Sequence, residues 1–191
     1  MAGSNNGKEI RVAGSGKVLF AAAGTAAPAD ATVAWDAAKW TELGYTTTDG
    51  IKFNKKDKID PVDTWQSVSP ARFIYSDRDL TVKFQLLQLN KHTLPFFLGG
   101  GAVVAGGVAG EFTYDLANTP GPDERAIGVE FVDGAAKYRF VVPRGQVTET
   151  EEISLTRTGA VRLGITFTAL AVDDAAPLAS FRIKDETTSY A

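Results

Sequence analysis

The 191 residues include no cysteine, a single histidine and a single methionine. Without thiols there is no disulfide framework, and the composition fits a chain that folds in a reducing compartment. With His92 alone, a histidine-centred triad has one possible centre and a multi-histidine metal site has none. Long apolar runs are also missing. The least polar stretch, residues 94–110, holds Pro95 and several glycines and falls short of the roughly 20 residues a spanning helix needs. No apolar segment follows the opening Met-Ala-Gly-Ser-Asn-Asn, so no secretory signal is read there and synthesis in a cytoplasm is expected. Positive charge is not in excess either. Twenty basic against twenty-three acidic residues give a net charge of −3, opposite to the footprint of a dedicated nucleic-acid binder.

What remains is an ordinary core composition, 44% hydrophobic and 10% aromatic. A chain of this length buries roughly 70% of its unfolded surface, so one soluble domain over residues 1–191 is expected. Period-2 alternation is the clearest local signal. Leu80, Val82, Phe84 and Leu86 alternate with Thr81, Lys83 and Gln85; Val161, Leu163, Ile165, Phe167 and Ala169 alternate with Arg162, Gly164, Thr166 and Thr168. Both runs predict strands with one wet face. Residues 125–132 and 137–142 flank Asp133-Gly134, a hairpin turn pair. Further strands are expected at residues 17–23, 51–54, 72–76, 111–114, 147–156 and 181–184. Helix is scarce. The best candidate has Thr93 as cap, Pro95 in the first turn and Gly99 as terminator, and a weaker one spans residues 29–40.

Two stretches read as long connections. Residues 46–70 carry Asp49-Gly50 and the mixed-charge run from Asn54 to Pro61, which cannot line a core; residues 116–124 are rich in Asn, Pro and Gly. Loops of this length are usually functional or ordered by a partner. Asp57, Asp60 and Asp63 are interleaved with Lys55, Lys56 and Lys58, which argues for a solvated loop over a calcium site. Gly14-Ser15-Gly16-Lys17 fails as a phosphate loop, with Arg11 where the first glycine belongs and Val18 where a hydroxyl should be. Gly99-Gly100-Gly101 fails as a dinucleotide loop, because Val104 replaces the third glycine. No cofactor or metal is therefore expected. Glu149, Glu151 and Glu152 form the densest acidic cluster, and Trp35, Trp40 and Trp65 could stack on sugars. That leaves a β-sandwich carbohydrate-binding module or glycoside hydrolase as an alternative, against charged edge strands and core aromatics as the plainer reading.

Read as one string, Gly16-Lys17-Val18-Leu19-Phe20-Ala21-Ala22-Ala23-Gly24-Thr25-Ala26-Ala27-Pro28 followed by Trp40-Thr41-Glu42-Leu43-Gly44-Tyr45-Thr46-Thr47-Thr48-Asp49-Gly50-Ile51 resembles the opening of major tail tube proteins of long, non-contractile-tailed bacteriophages. Trp65-Gln66-Ser67 before Pro70 resembles the way these proteins close their long loop. The segment from Leu80 to Leu94, ending at Gly99-Gly100, resembles their strand-then-helix block. The likeness covers roughly residues 8–100 with order and spacing kept. Some relatives carry a C-terminal immunoglobulin-like domain, and none is expected within these 191 residues.

The resemblance implies a mainly β, sandwich- or barrel-like tail-tube fold with one short flanking helix and a long extended loop, acting as a structural virion protein and not an enzyme. It further implies hexameric rings that stack into a tube for genome passage, located in the virion tail after synthesis in the host bacterial cytoplasm. Implied partners are copies of the chain itself, the tape measure, tail terminator and distal tail proteins, and phage DNA that traverses the lumen without tight binding. Thr46, Asp49, Lys55, Lys56, Asp57, Lys58, Asp60 and Trp65 are then candidates for contacts between rings. Polar strand faces supply candidates for a neutral to acidic lumen wall: Thr81, Lys83, Gln85, Arg162, Thr166 and Thr168, with Glu149, Glu151 and Glu152 as acidic partners for Lys83 and Arg162.

Overall fold

A strand with one apolar face must bury that face against another layer. In the computed structural model, which describes residues 7–186, antiparallel strands do so in two layers that share one member. The elements are β1 (Ser15–Ala22), β2 (Thr41–Glu42), β3 (Lys52–Thr64), β4 (Ser67–Leu86), α1 (Thr93–Leu98), β5 (Val104–Ala105), β6 (Phe112–Thr113), β7 (Arg125–Asp133), β8 (Ala136–Thr150), β9 (Leu163–Ala169) and β10 (Ser180–Lys184). The main sheet runs β2-β1-β7-β8-β9-β4-β3, with β10 also paired to β8. The first half of β8 pairs with β7 and β10, and the second half pairs with β9. One layer is therefore β2-β1-β7-β8-β10 and the other β8-β9-β4-β3.

The facing apolar sets meet in one core. Val18, Ile127, Val129, Phe140 and Val142 come from the first layer; Val82, Phe84, Leu86, Leu163, Ile165 and Phe167 come from the second. Phe96 and Phe97 of α1 close one end, with Phe96 stacked on Phe167 at 6.2 Å between centroids. A smaller cluster of Leu19, Ala21, Trp40, Ala126 and Val141, with Trp35, lies on the other face of the first layer. Its ionic anchor is Arg139, 2% exposed, which pairs with Glu130 and stacks on the Trp35 ring at 4.8 Å. Burial pushes the Glu130 carboxyl up, but hydrogen bonds from Arg139 and Trp35 and the charges of Arg139 and Lys17 hold it below its ordinary value.

Several local expectations need correction. Residues 46–70 are not a structureless loop: most of them belong to β3 and the start of β4, a long hairpin that absorbs the short strands expected at 51–54 and 72–76. Antiparallel pairing satisfies the backbone whatever the side chains are, so polar composition did not forbid strands. Residues 29–40 form no helix. Arg139 takes the carbonyls of Asp30 and Val33, and the Asp30 carboxylate binds the amides of Thr32 and Val33, groups a helix would have used itself. Those bonds, led by the Thr32 hydroxyl, lower the Asp30 carboxyl to about 2. The β7–β8 turn is Gly134-Ala135, one residue on from the expected pair, with φ +60° at Gly134 in the first central position. Thr93 is the first helical residue and not the cap; the Asn90 carboxamide oxygen accepts from the His92 and Thr93 amides. The strand expected over 147–156 ends at Thr150 and continues the strand that begins at Ala136.

Gly145 is where β8 passes from one layer to the other. It pairs with Arg125 of β7 on one edge and Ala169 of β9 on the other. A Cβ there would lie 2.4 Å from the Thr168 carbonyl oxygen and 2.5 Å from the Phe167 ring, so no side chain fits without moving backbone or core. Gly145→Ala is expected to destabilise the fold by about 1–3 kcal/mol through overpacking. Gly107→Ala, where an added Cβ meets nothing within 4 Å, is the control and should leave the chemical-denaturation midpoint nearly unchanged. Equal midpoints for the two variants would contradict this account of the crossover.

Candidate functional site

The strand registers bring most of the expected lumen residues onto one surface. Across the second layer Thr81 pairs with Thr168, which pairs with Gln146; Lys83 pairs with Thr166, which pairs with Glu149. These residues share the face opposite the core. A bulge between Val147 and Glu149 turns Thr148 to that face as well, where its hydroxyl lies 2.7 Å from that of Thr168. Lys83 Nζ is 3.9 Å from Glu149, and the Gln85 amide donates to Glu151 at 2.6 Å. Glu151 crosses above Gly164, whose missing side chain leaves room for the carboxylate. Arg162 does not lie on the strand: it precedes β9 and lines a shallow exposed pocket with Gln85, Glu151 and Glu152. Lys52, Asn54, Lys56 and Lys58 of β3 extend the polar face, opposite Lys83, Thr81, Asp79 and Asp77. Four lysines and four carboxylates, counting Glu149 and Glu151, balance on it.

Both outer edges of this four-stranded layer are unpaired among the described residues. β3 pairs on one side only, with β4. Residues 146–150 of β8 pair with β9 on one side and have lost β7 on the other, because the β7 ladder ends at Gly145. A groove of about 790 Å³ runs beside that second edge, between Gln146–Thr150 and the segments holding Gly99–Gly101 and Tyr114–Asp123.

The hairpin is the second feature. Beyond Leu80, β3 and β4 have only each other among the described residues, and the arm projects by about 30 Å at 3.3 Å per residue from Lys55 to Thr64. Complementary charges stand directly opposite across it, Lys56 with Asp79, Asp57 with Arg78 and Lys58 with Asp77. Asp57 receives Arg78 Nε at 2.8 Å and Lys55 Nζ at 2.6 Å. These hydrogen bonds, Arg78's first, lower the Asp57 carboxyl to about 2. Past a bulge at Ser76 the arm turns apolar on the continuation of the core face, where Ile59 pairs with Tyr75 and Pro61 with Phe73, all exposed. Pro61 and Pro70 fit because one lies on an edge strand and the other in the irregular stretch where the register shifts. Trp65 occupies the tip and is 98% exposed. Of the other residues grouped with this segment, Thr46 only bridges Leu86 and Asp49 lies in the turn before β3, so both stay at the base of the arm.

Of its three tryptophans the carbohydrate alternative keeps Trp65 alone, at the arm tip and far from the acidic cluster in sequence. Trp40 is buried and Trp35 is held edge-on to it at 4.7 Å, under Arg139, so neither ring offers a face to a sugar. Glu149 and Glu151 are engaged by Lys83 and Gln85 on an open polar face. No described hydroxyl or carboxylate hydrogen-bonds to the His92 ring, which packs near Phe20; burial, then the Lys91 charge, lowers its pKa.

The lowered pKa of Asp57 makes the arm sensitive to acid. Its folded value lies below the ordinary carboxylate value near 3.9, so its contribution is complete above about pH 4 and is lost as pH falls toward 2. Amide exchange in the arm, after correction for intrinsic rates, should therefore be constant above pH 4 and rise below it. Asp57→Asn should show the raised exchange at neutral pH. Identical protection in the two proteins at pH 7 would remove the ion cluster as the arm's brace.

Comparison with known proteins places these surfaces in context. No curated protein matches the chain. The sequence profile of the family described as phage tail tube protein matches residues 2–191, nearly the whole chain. The two-layered β fold with one short helix is consistent with the resemblance drawn from residues 8–100. The chain belongs to the phage tail tube protein family: it is a structural, non-enzymatic protein of the virion tail that assembles with itself into a tube.

Proposed function

We propose that six copies close a ring through the second layer, and that rings stack to form the conduit for the phage genome. The observation that carries this reading is a four-stranded layer with one apolar face, one charge-balanced polar face and two unpaired edges. Exposed edges invite pairing, and ring closure removes them. β3 of one copy would pair with residues 146–150 of β8 in the next, entering the groove beside that edge, which makes the contact heterologous as a closed ring requires. Six such layers give about 24 strands, a barrel roughly 37 Å across if untilted and about 48 Å at a 40° tilt. The polar face would line it. Its balance of lysines and carboxylates suits a wall that lets a polyanion pass, because each uncompensated cation would add affinity and salt dependence.

The arm supplies the second, axial contact. Its exposed Ile59, Pro61, Phe73 and Tyr75 and its Trp65 tip continue the core face past the reach of the subunit's own first layer, so a neighbouring ring would cover them. Binding of the tape measure, terminator and distal tail proteins at the two ends of the tube, and synthesis in the host cytoplasm as one domain, belong to the same reading.

Trp65→Ala should leave the subunit folded and rings intact while shortening or abolishing tubes. Deleting Lys55 to Asp60 should abolish tubes and also weaken rings, because it shortens the β3 edge. Sedimentation and negative-stain microscopy across a concentration series read both outcomes. Tubes of normal length from Trp65→Ala would remove the tip from the stacking contact. A strict monomer at millimolar concentration in every salt condition would overturn the assembly reading, as would a channel wall of strongly positive potential.

A further inference from the structure

The first layer has a charge pattern that the assembly proposed above does not use. On its face away from the core, the registers align Lys17, Glu130, Arg139 and Arg182 in one row across β1, β7, β8 and β10. The neighbouring row places Lys137 against Lys184. Five cations thus share a face with Glu130 and Glu186, although the whole chain carries a net charge of −3. Glu130 is taken by Arg139 and approached by Lys17 at 3.6 Å, and Glu186 lies 3.6 Å from Lys184. Among the described residues Lys137 and Arg182 have no ion pair.

Arg182 adds the second observation. Its Nη1 is shut off from solvent and has no hydrogen-bond partner, although the residue as a whole is only partly buried. Its strand partner is Arg139, another cation, whose own bonds go to Glu130 and to the carbonyls of Asp30 and Val33. Because Nη1 is enclosed, an anion arriving from solvent would meet only the outer N–H groups of Arg182; a guanidinium beside a second guanidinium, with no carboxylate of its own among the described residues, is stabilised by an oxyanion there.

We propose that Arg182, Lys137 and Lys184 form a binding face for a flexible phosphate-bearing polymer. Cations two residues apart on a strand repeat at about 6.8 Å, and those on paired strands lie about 4.8 Å apart. The patch is two strands wide, which fits a single flexible chain of phosphates better than the broad surface of a duplex. Arg139 is buried and contributes its field only. If the second layer lines the channel, this face points to the outside of the tube, where six copies per ring would present it to anionic polymers met by the tail. The binding itself needs no ring.

Inorganic polyphosphate is the probe, titrated calorimetrically into the full-length protein at 50 mM and 200 mM salt, with polyglutamate and duplex DNA as comparisons at equal charge. Polyphosphate should bind most tightly, and about three phosphate contacts to a flexible strand predict a roughly fifteen- to twenty-fold loss of affinity over that salt range. Arg182→Gln combined with Lys184→Gln should weaken binding at least tenfold, while Lys83→Gln, on the opposite layer, should leave it unchanged. Unaltered tube formation by the double variant would show that this face and the assembly surfaces are separate. No binding at 50 mM salt, equal loss in Lys83→Gln, or tighter binding of duplex DNA or polyglutamate than of polyphosphate would overturn the proposal. Because the titration is run on unassembled protein, its failure leaves the tube reading standing, and a failure to form tubes leaves this one standing.

Discussion

Strand β8 is hydrogen-bonded into both layers, and the rest of the architecture follows from how it changes partners. A sandwich made of two separate sheets would end each layer in its own edge strand. Here one strand serves β7 and β10 with its first half and β9 with its second, so the layers are hinged at Gly145. The hinge holds the apolar faces toward each other and leaves the edge of residues 146–150 bare once β7 has stopped. The bare edge and the closed core come from one backbone event. That event tolerates no side chain at Gly145, where the Thr168 carbonyl and the Phe167 ring already occupy the space.

The second layer carries opposite demands on its two faces. Toward the core it is Val82, Phe84, Leu163, Ile165 and Phe167, all almost fully buried. Away from it the cross-strand neighbours are threonines, a glutamine and a lysine–glutamate pair, weak individually because they face water. Their value lies in arrangement and not in stability. Hydroxyl and amide groups keep the face wet, while Lys83 with Glu149 keeps its charge near zero. Beyond Leu80 the layer runs out of partners and becomes an arm, where directly opposed Lys–Asp and Asp–Arg pairs replace the missing neighbours before apolar residues return near the tip.

What was legible in the sequence was whatever depended on period alone. The alternations at residues 80–86 and 161–169 gave the buried and wet faces correctly, and with them most of the polar surface named as candidate wall, since a strand's two faces are fixed once its register is. Arg162 was misplaced because the alternation runs two residues past the point where pairing stops. The arm was hidden because mixed charge was read as solvation; the cue was the pairing of Lys56, Asp57 and Lys58 with Asp79, Arg78 and Asp77, which needs both strands in view. The failed helix at 29–40 had one local cue, Asp30, whose carboxylate binds the amides of Thr32 and Val33. The segment's carbonyls are claimed by Arg139, more than a hundred residues away in sequence.

Arg139 also shows why the first layer's outer face could not have been read from composition. A buried ion pair is a poor source of net stability, yet removing one partner of such a pair typically costs about 3–5 kcal/mol because the other charge stays buried. Arg139 is tolerated since Glu130, two backbone carbonyls and the Trp35 ring all serve it, and the same contacts fasten residues 30–35 to the sheet. Arg182 stands beside it in register without comparable support. The contrast lies between two arginines of identical chemistry on adjacent strands, one saturated by its own chain and one left short of acceptors. Saturation of the first makes the second conspicuous, because Glu130, the carboxylate in that row, is already committed to Arg139.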